Sequence, residues 1–242
     1  MMYPTRSGLK ALACAAVVLV IQGCASTPSS NGNAQVNDPI EGFNRSMFGF
    51  NEKVDENVLK PVATGYKNVV PSPARTGVTN FYNNFEDAWS AVNSLLQLKF
   101  EHAASNTMRV LVNTTLGFGG LLDWGSEMRL QRYNEDLGQT LGYWGMGEGA
   151  YVVWPFLGPS TARDSLALPV DLAVGPGLVI DSTPVSIGVT ALNVVNTRAN
   201  LLDTTTLLDD IVLDKYIFVR DGFLQRRRSQ VHDGNPPDAP KN

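Results

Sequence analysis

Apolar residues recur at spacings of three and four along most of this chain, which predicts a mainly α-helical protein. The first apolar stripe consists of Ile40, Phe43, Met47, Phe50, Val54 and Val58. Asp38, Pro39 and Glu41 place a capping acid, a first-turn proline and an N3 glutamate before this stripe, so the helix is expected to begin there. Pro61 is expected to end it.

Similar stripes predict further helices. Their ranges are 85–98, 101–116, 161–174, 184–202 and 207–230. The glycine-rich run Gly117–Gly120 is expected to end the helix before it. The segment Ala150–Phe156 is strand-like, and it follows a glycine-rich stretch and precedes Gly158 and Pro159. This order predicts one glycine- and aromatic-rich hairpin in an otherwise helical protein.

The N-terminus has the layout of a bacterial lipoprotein signal. Arg6 and Lys10 precede the apolar run Ala11–Ile21, which is too short to span a bilayer. The run ends in Ile21-Gln22-Gly23-Cys24, which resembles a lipobox, so residues 1–23 are predicted to be removed and Cys24 to be lipid-attached. Cys14 lies within the signal, which leaves no second cysteine for a disulfide.

The rest of the chain divides by composition. Residues 24–37 are predicted to be the lipidated N-terminus and a flexible tether, 38–228 a helical domain, and 229–242 a disordered tail. Ala25, rather than aspartate, follows the cysteine, and by analogy this favours sorting to the outer membrane.

The first stripe is more aromatic than one packing seam requires. Its candidate membrane-interface residues are Phe43, Met47, Phe48 and Phe50. Two interpretations remain open at this stage: core packing, and a helix lying in the lipid interface with its rings at the acyl boundary.

Candidate catalytic chemistry is sparse. The formal charge of −4 disfavours nucleic-acid binding. His102 and His232 are the two histidines, so neither a zinc site nor a Ser-His-Asp triad is expected, and the acidic pairs Glu86-Asp87 and Asp209-Asp210 are interpreted as helix-start charges. A Gly-x-Gly-x-x-Ala match at Gly145–Ala150 is discounted because a strand-like run, not a helix, follows it. No cofactor, metal or enzymatic activity is predicted.

Several ordered motifs together resemble the MlaA/VacJ lipoproteins of the Gram-negative outer membrane. They are "NDPIEGFNRSMFGFNEKVDENVLKPVA", "VPSPARTGVTNFYNNFEDAWSAVNSLLQ", "NTTLGFGGLLD", "EDLGQTLGYWGMGEGAYVVWPFLGPSTARD", "NTRANLLD" and "DKYIFVRDGFLQRR". The resemblance runs from about Asp38 to Arg228.

The resemblance implies a ring-like, membrane-embedded helical lipoprotein with an amphipathic channel, anchored on the periplasmic side of the outer membrane. It implies a non-enzymatic role: the removal of mislocalised phospholipid from the outer leaflet, its transfer to a periplasmic lipid carrier for retrograde transport, and association with trimeric porins. A structural porin-associated lipoprotein without transport activity is the alternative. A phospholipid hydrolase is a second alternative, against which the presence of only two histidines argues.

The hairpin is the candidate channel element on this interpretation. Its residues are Tyr143, Trp144, Gly145, Gly147, Gly149, Tyr151, Trp154 and Phe156. The rings are expected at or near the channel mouth, with the glycines allowing the loop to move. The alternative for the same rings is a hydrophobic plug that fixes the loop to the helices.

Overall fold

The computed structural model describes residues 38–176, 180, 182–209 and 212–237, with the side chains of 206–209 left out. The predicted signal peptide, Cys24, the tether to residue 37 and the end of the tail lie outside the described residues. Within them the chain forms helices and one two-stranded antiparallel sheet, which confirms the mainly α fold. None of the described helices is both long and apolar enough to cross a membrane.

The first helix, α1, spans Glu41–Val54 and continues through a π-helical turn, Asp55–Leu59, into α2, Lys60–Val69. Two predictions are wrong here. Asp38 does not cap α1: Ile40 occupies the cap position without a side-chain bond, and the Asp38 carboxylate instead accepts a hydrogen bond from Asn44 Nδ2 at 2.7 Å. Pro61 does not end the helix, because it lies in the first turn of α2, where a missing N–H is tolerated.

The remaining elements follow in chain order. They are α3 (Ser72–Leu96), α4 (Phe100–Thr115), α5 (Trp124–Glu127), α6 (Leu137–Tyr143), β1 (Tyr151–Trp154), β2 (Gly158–Thr161), α7 (Ala162–Ala173), α8 (Thr183–Asp209) and α9 (Lys215–Val231). The strand expected at Ala150–Phe156 is confirmed as β1, and the glycine run after α4 does follow the end of that helix.

Four predicted boundaries are wrong. The helix expected over 184–202 runs from Thr183 to Asp209. The helix expected from residue 85 begins at Ser72, with Pro73 in its first turn. The helix expected over 207–230 is two helices, because Asp214 caps a new one by accepting a hydrogen bond from Ile217 N. The last helix runs to Val231, so the described chain is still helical beyond Ser229, where the tail was predicted to begin.

The packing between helices is strongly polar. In the α3–α4 pair, Asn84 donates a hydrogen bond to Thr114 at 2.9 Å, and Arg109 donates one to Asp87 at 3.0 Å. Because the later residue of α3 meets the earlier residue of α4, the two helices are antiparallel. An apolar contact is found where Ala63 of α2 packs against Ala199 and Leu202 of α8.

Polarity is inverted relative to a water-soluble domain. The buried polar side chains of α3 are Asn84, Asp87, Ser90, Asn93 and Ser94. Large apolar side chains of the α3–α4 pair are exposed: Val92, Leu95, Leu96, Leu98, Phe100, Met108 and Leu111. Exposed apolar surface on this scale marks contact with a membrane or another protein.

Candidate functional site

A cavity of about 840 Å³ lies among α3, α6, α7, α8 and α9. Its aromatic lining residues are Tyr82, Phe85, Trp89 and Phe223. Its charged lining residues are Glu86, Glu135, Asp136, Asp171, Arg226 and Arg227. Apolar rings and charged groups therefore share one amphipathic space, of a size within the range of roughly 300–1,000 Å³ typical of ligand sites.

Arg227 is the buried centre of one wall. Its guanidinium donates to both oxygens of Asp136, at 2.6 and 2.9 Å, and to both oxygens of Asp164, each at 2.9 Å. Burial works against ionisation of Asp136, but hydrogen bonds from Arg227 and Gln139 outweigh it, so the pKa of Asp136 lies below its ordinary value. The cluster joins α9 to the starts of α6 and α7.

This cluster requires a glycine at position 138. A Cβ there would lie 2.5 Å from an oxygen of Asp164 and 2.8 Å from a nitrogen of Arg227. Any larger residue at Gly138 would displace the ion pairs. The glycine of the "EDLGQ" segment thus lets the backbone of α6 approach the arginine closely.

Asp171 is a carboxylate of the cavity lining that is held by hydrogen bonds rather than by an ion pair. Its Oδ1 accepts hydrogen bonds from Trp89 Nε1 at 2.8 Å and from Leu137 N at 3.1 Å. Burial raises the pKa of Asp171, and the nearby carboxylate of Asp136 raises it further, although both hydrogen bonds and the nearby Arg227 guanidinium act the other way. Asp171 therefore has hydrogen bonds and a favourable interaction with Arg227, but no ion pair within contact distance among the described residues.

A second charged network supports the polar side of the α3–α4 pair. Buried Arg109 donates to Asp87 at 3.0 Å and to both oxygens of Asp123 at 3.0 and 3.1 Å. Arg132 also pairs with Asp87, and with Glu86 at 3.0 Å. Glu86 and Asp87 lie deep within α3, so their interpretation as helix-start charges is wrong: they are partners of Arg109 from α4 and of Arg132 from the loop between α5 and α6. The side chains of the Asp209-Asp210 pair are outside the described residues.

The hairpin is held by two asparagines of α1. Asn44 donates to Tyr151 O and accepts from Val153 N, both at 2.9 Å, and it is fully buried. Asn51, two turns further on, donates to Trp154 O at 2.9 Å and accepts from Phe156 N at 2.7 Å. The two amides thus pair with the free edge of β1 as a neighbouring strand would.

None of the eight hairpin residues proposed from the sequence lines the described cavity. Tyr151 is fully buried, and its ring lies 6.2 Å from that of Phe223, a wall residue. Trp154 donates to Ser165 Oγ and Trp144 to Leu96 O, while Phe156 is 73% exposed. The Tyr143 ring faces the Lys99 ammonium at 5.3 Å. Gly145 and Gly149 have positive φ, and Gly147 lies between them in the loop.

The four interface candidates on α1 divide between its faces. Phe43 and Phe50 are exposed, and the Phe50 ring meets that of Phe156 edge-on at 5.2 Å. Met47 is half-buried, and Phe48 packs against Tyr216 at 5.7 Å. The buried position of α1 is the polar Asn44, so much of the apolar stripe faces outwards.

Neither histidine lines the cavity. His102 stacks on Tyr133 at 3.6 Å and lies with Glu135 and Asp233 in a group close enough to hold a cation. The Lys99 ammonium already bonds both carboxylates, at 3.1 and 2.5 Å. This group is therefore an ion-pair cluster that ties the C-terminal segment to the start of α4.

Sequence reasoning missed the charged lining of the cavity. Asp136, Asp171, Arg226 and Arg227 were not singled out. Asp136 could have been found as a capping residue, because its side chain accepts from Gln139 N at the start of α6. The three consecutive arginines Arg226–Arg228 show in the sequence as a positively charged cluster, but the sequence does not show which of them points inwards.

Comparisons with known proteins agree over nearly the whole described body. A family model described as "MlaA lipoprotein" matches residues 36–230. The chain is 40% identical to the intermembrane phospholipid transport system lipoprotein MlaA of Escherichia coli (strain K12), over 90% of this chain and 86% of that protein. It is 32% identical to the protein of the same name from Haemophilus influenzae, over 89% and 88% of the two chains. A solved structure described as "Structural basis for maintenance of bacterial outer membrane lipid asymmetry" matches with a TM-score of 0.70 and 38% identity, over 80% of this chain and 98% of that one.

Proposed function

Because this chain belongs to the MlaA lipoprotein family, we propose that it acts in intermembrane phospholipid transport by removing mislocalised phospholipid from the outer leaflet of the outer membrane. It passes this lipid to a periplasmic carrier without covalent chemistry. Cys24 anchors it on the periplasmic side, its helices form a ring around a channel, and trimeric porins are its neighbours in the membrane.

The single observation that carries this proposal is the inverted polarity of the fold. An unpaired polar group moved into an apolar medium costs roughly 2–7 kcal/mol, and an ion costs far more. A polar interior surrounded by apolar side chains lowers the free-energy cost of moving a phospholipid head group through the acyl region. The amphipathic cavity, with Trp89 and Phe223 beside Asp171 and Arg226, supplies both kinds of surface in one place.

Reconstituted membranes provide the test. The lipidated protein in vesicles with labelled phospholipid in one leaflet should release that lipid to a soluble acceptor, with no free fatty acid or lysolipid formed. A Ser186→Trp variant narrows the cavity from α8 and should slow release by about tenfold or more. Thr197→Trp, on the same helix but outside the cavity lining, is the matched control and should behave like the unmodified protein.

Three results contradict the proposal in different ways. Normal porin association without lipid release would indicate the structural alternative. Lysolipid formation would indicate a hydrolase. Equal release by the Ser186→Trp and Thr197→Trp variants would place the lipid path outside the described cavity.

The hairpin acts in this proposal as a fixed seal beside the channel. The support is the pairing of β1 with Asn44 and Asn51, because four hydrogen bonds must break before the strand moves away from α1. A disulfide between cysteines introduced at Phe50 and Phe156, whose rings touch, should leave lipid release unchanged. If the oxidised protein stops releasing lipid and regains release on reduction, the hairpin is a mobile gate instead.

A further inference from the structure

Most charges that line the cavity are already neutralised by partners within the described part of the chain. The ion pairs are Glu86 with Arg132 at 3.0 Å, Glu135 with Lys99 at 3.1 Å, and Asp136 with Arg227 at 2.6 Å. Asp164, the second partner of Arg227, also pairs with Arg163 at 3.0 Å. These groups hold helices together, and a ligand would have to break a buried pair to use them.

Two lining charges are left over, one of each sign. Arg226 has no ion pair or hydrogen bond to any described residue, and its side chain is exposed. Asp171 has no cation within ion-pair distance among the described residues, and both of its hydrogen bonds use Oδ1. The Arg226 guanidinium and the Asp171 carboxylate are therefore the two charged groups of the cavity lining that have no ion pair with a described residue.

We infer that this cavity binds zwitterionic phospholipid head groups, with the phosphate at Arg226 and the ammonium at Asp171. The inference rests on the proposed function and adds a head-group preference to it. A guanidinium is well suited to a phosphate, which it can meet with two parallel hydrogen bonds. A carboxylate in an amphipathic cavity is the natural partner of an ammonium.

Trp89 orients the Asp171 carboxylate. Its indole N–H and the Leu137 backbone N–H both donate to Oδ1, which leaves Oδ2 to accept from an ammonium.

Anionic phospholipids fit the same pair of charges less well. A phosphoglycerol head group has a phosphate for Arg226 but a neutral glycerol at the other end. Asp171 would then remain without an ion-pair partner. The cavity should therefore favour phosphoethanolamine over phosphoglycerol head groups.

Competition between two lipids tests the preference. The full lipidated protein is incubated with vesicles containing equal amounts of phosphatidylethanolamine and phosphatidylglycerol, repurified, and its bound lipids are quantified by mass spectrometry. The unmodified protein should retain several-fold more phosphatidylethanolamine. Asp171→Asn keeps an acceptor for Trp89 and Leu137 but removes the charge, and should shift the ratio about tenfold towards phosphatidylglycerol.

Arg226→Gln supplies an independent arm because its position is exposed and tolerant. It should reduce the binding of both lipids, since both contain the phosphate, while Arg226→Lys should restore most of it. Arg228→Gln, on the same helix but outside the cavity lining, is the matched control and should change neither quantity.

The outcomes separate the two proposals. Equal retention of both lipids by the unmodified protein, or an unchanged ratio in Asp171→Asn, would overturn the head-group assignment while leaving transport intact. Retention of neither lipid would overturn the proposed function and the assignment with it.

Discussion

Replacement of Asn44 by alanine should detach β1 from α1. The Asn44 amide is fully buried and makes three hydrogen bonds: to Asp38 Oδ1, to Tyr151 O and from Val153 N. Alanine supplies none of them, and the void left by the amide lies in a buried place. Tyr151 O and Val153 N would then be buried without hydrogen-bond partners. The substitution therefore costs the free energy needed to keep these two groups out of water.

The size of the effect follows from those two groups. A buried donor or acceptor without a partner costs about 1–3 kcal/mol, so we expect Asn44→Ala to lower the free energy of unfolding by about 4 kcal/mol. For a chain of this size that corresponds to a fall in melting temperature of about 10 °C. Asn51→Ala removes two similar bonds, but they are solvent-exposed, and water can replace them at a cost of about 1 kcal/mol.

Thermal unfolding in detergent, followed by circular dichroism, compares the two variants. Hydrogen exchange adds a local measurement: the Val153 amide should lose protection in Asn44→Ala, and the Phe156 amide in Asn51→Ala. Equal melting temperatures for the two variants would refute the reasoning from burial. Retained protection of Val153 in Asn44→Ala would show that the amide does not hold the strand.

Three further substitutions have definite expected outcomes. Cys24→Ala should leave the protein unacylated and mislocalised, as shown by mass spectrometry and membrane fractionation; normal processing would refute the lipobox assignment. Arg227→Gln should cost about 3 kcal/mol at neutral pH, because Asp136 loses its ion pair and Asp164 keeps only that with Arg163. Because the pKa of Asp136 is lowered in the fold, its stabilising contribution is present above its unfolded pKa of about 3.9 and is lost as pH falls through the folded value, so this deficit should shrink in acid. Asp171→Asn should raise the melting temperature at pH 7, because burial raises the pKa of Asp171 and its charge opposes folding above that pKa; the gain should vanish in acid, where the carboxyl is protonated.

Local sequence signals located many of the helices correctly. Thr161 illustrates this: it lies just before α7 and accepts a hydrogen bond from Asp164 N, as a capping threonine should. The end of α4 at the glycine run was equally readable. Such features depend on a few neighbouring residues, so the sequence contains all the information they need.

The misassigned features depend on partners far along the chain. Asp38 has the sequence context of a capping acid, but its carboxylate is taken by Asn44 and by Tyr216, which lies in α9. The direction of the first apolar stripe was equally hidden. Periodicity shows that a helix has two faces, but it does not show which solvent each face meets, and here polar Asn44 faces inwards while Phe43 faces outwards.

The π-helical turn at Asp55–Leu59 makes the first helical segment tolerant of a change in length. A π turn holds one residue more than the α-helix around it, so the flanking helices keep the facing they would have without that residue. Asp55 is fixed to α8 by Arg198 at 2.7 Å, whereas Asn57 is exposed. Deletion of Asn57 should therefore convert the turn to regular α-helix and keep Ala63 against Ala199 and Leu202. The same deletion two turns earlier, within α1, would rotate one part of the helix by about 100° against the other. The extra residue of the π turn thus lets α1 direct Asn44 and Asn51 towards the hairpin while α2 directs Ala63 towards α8.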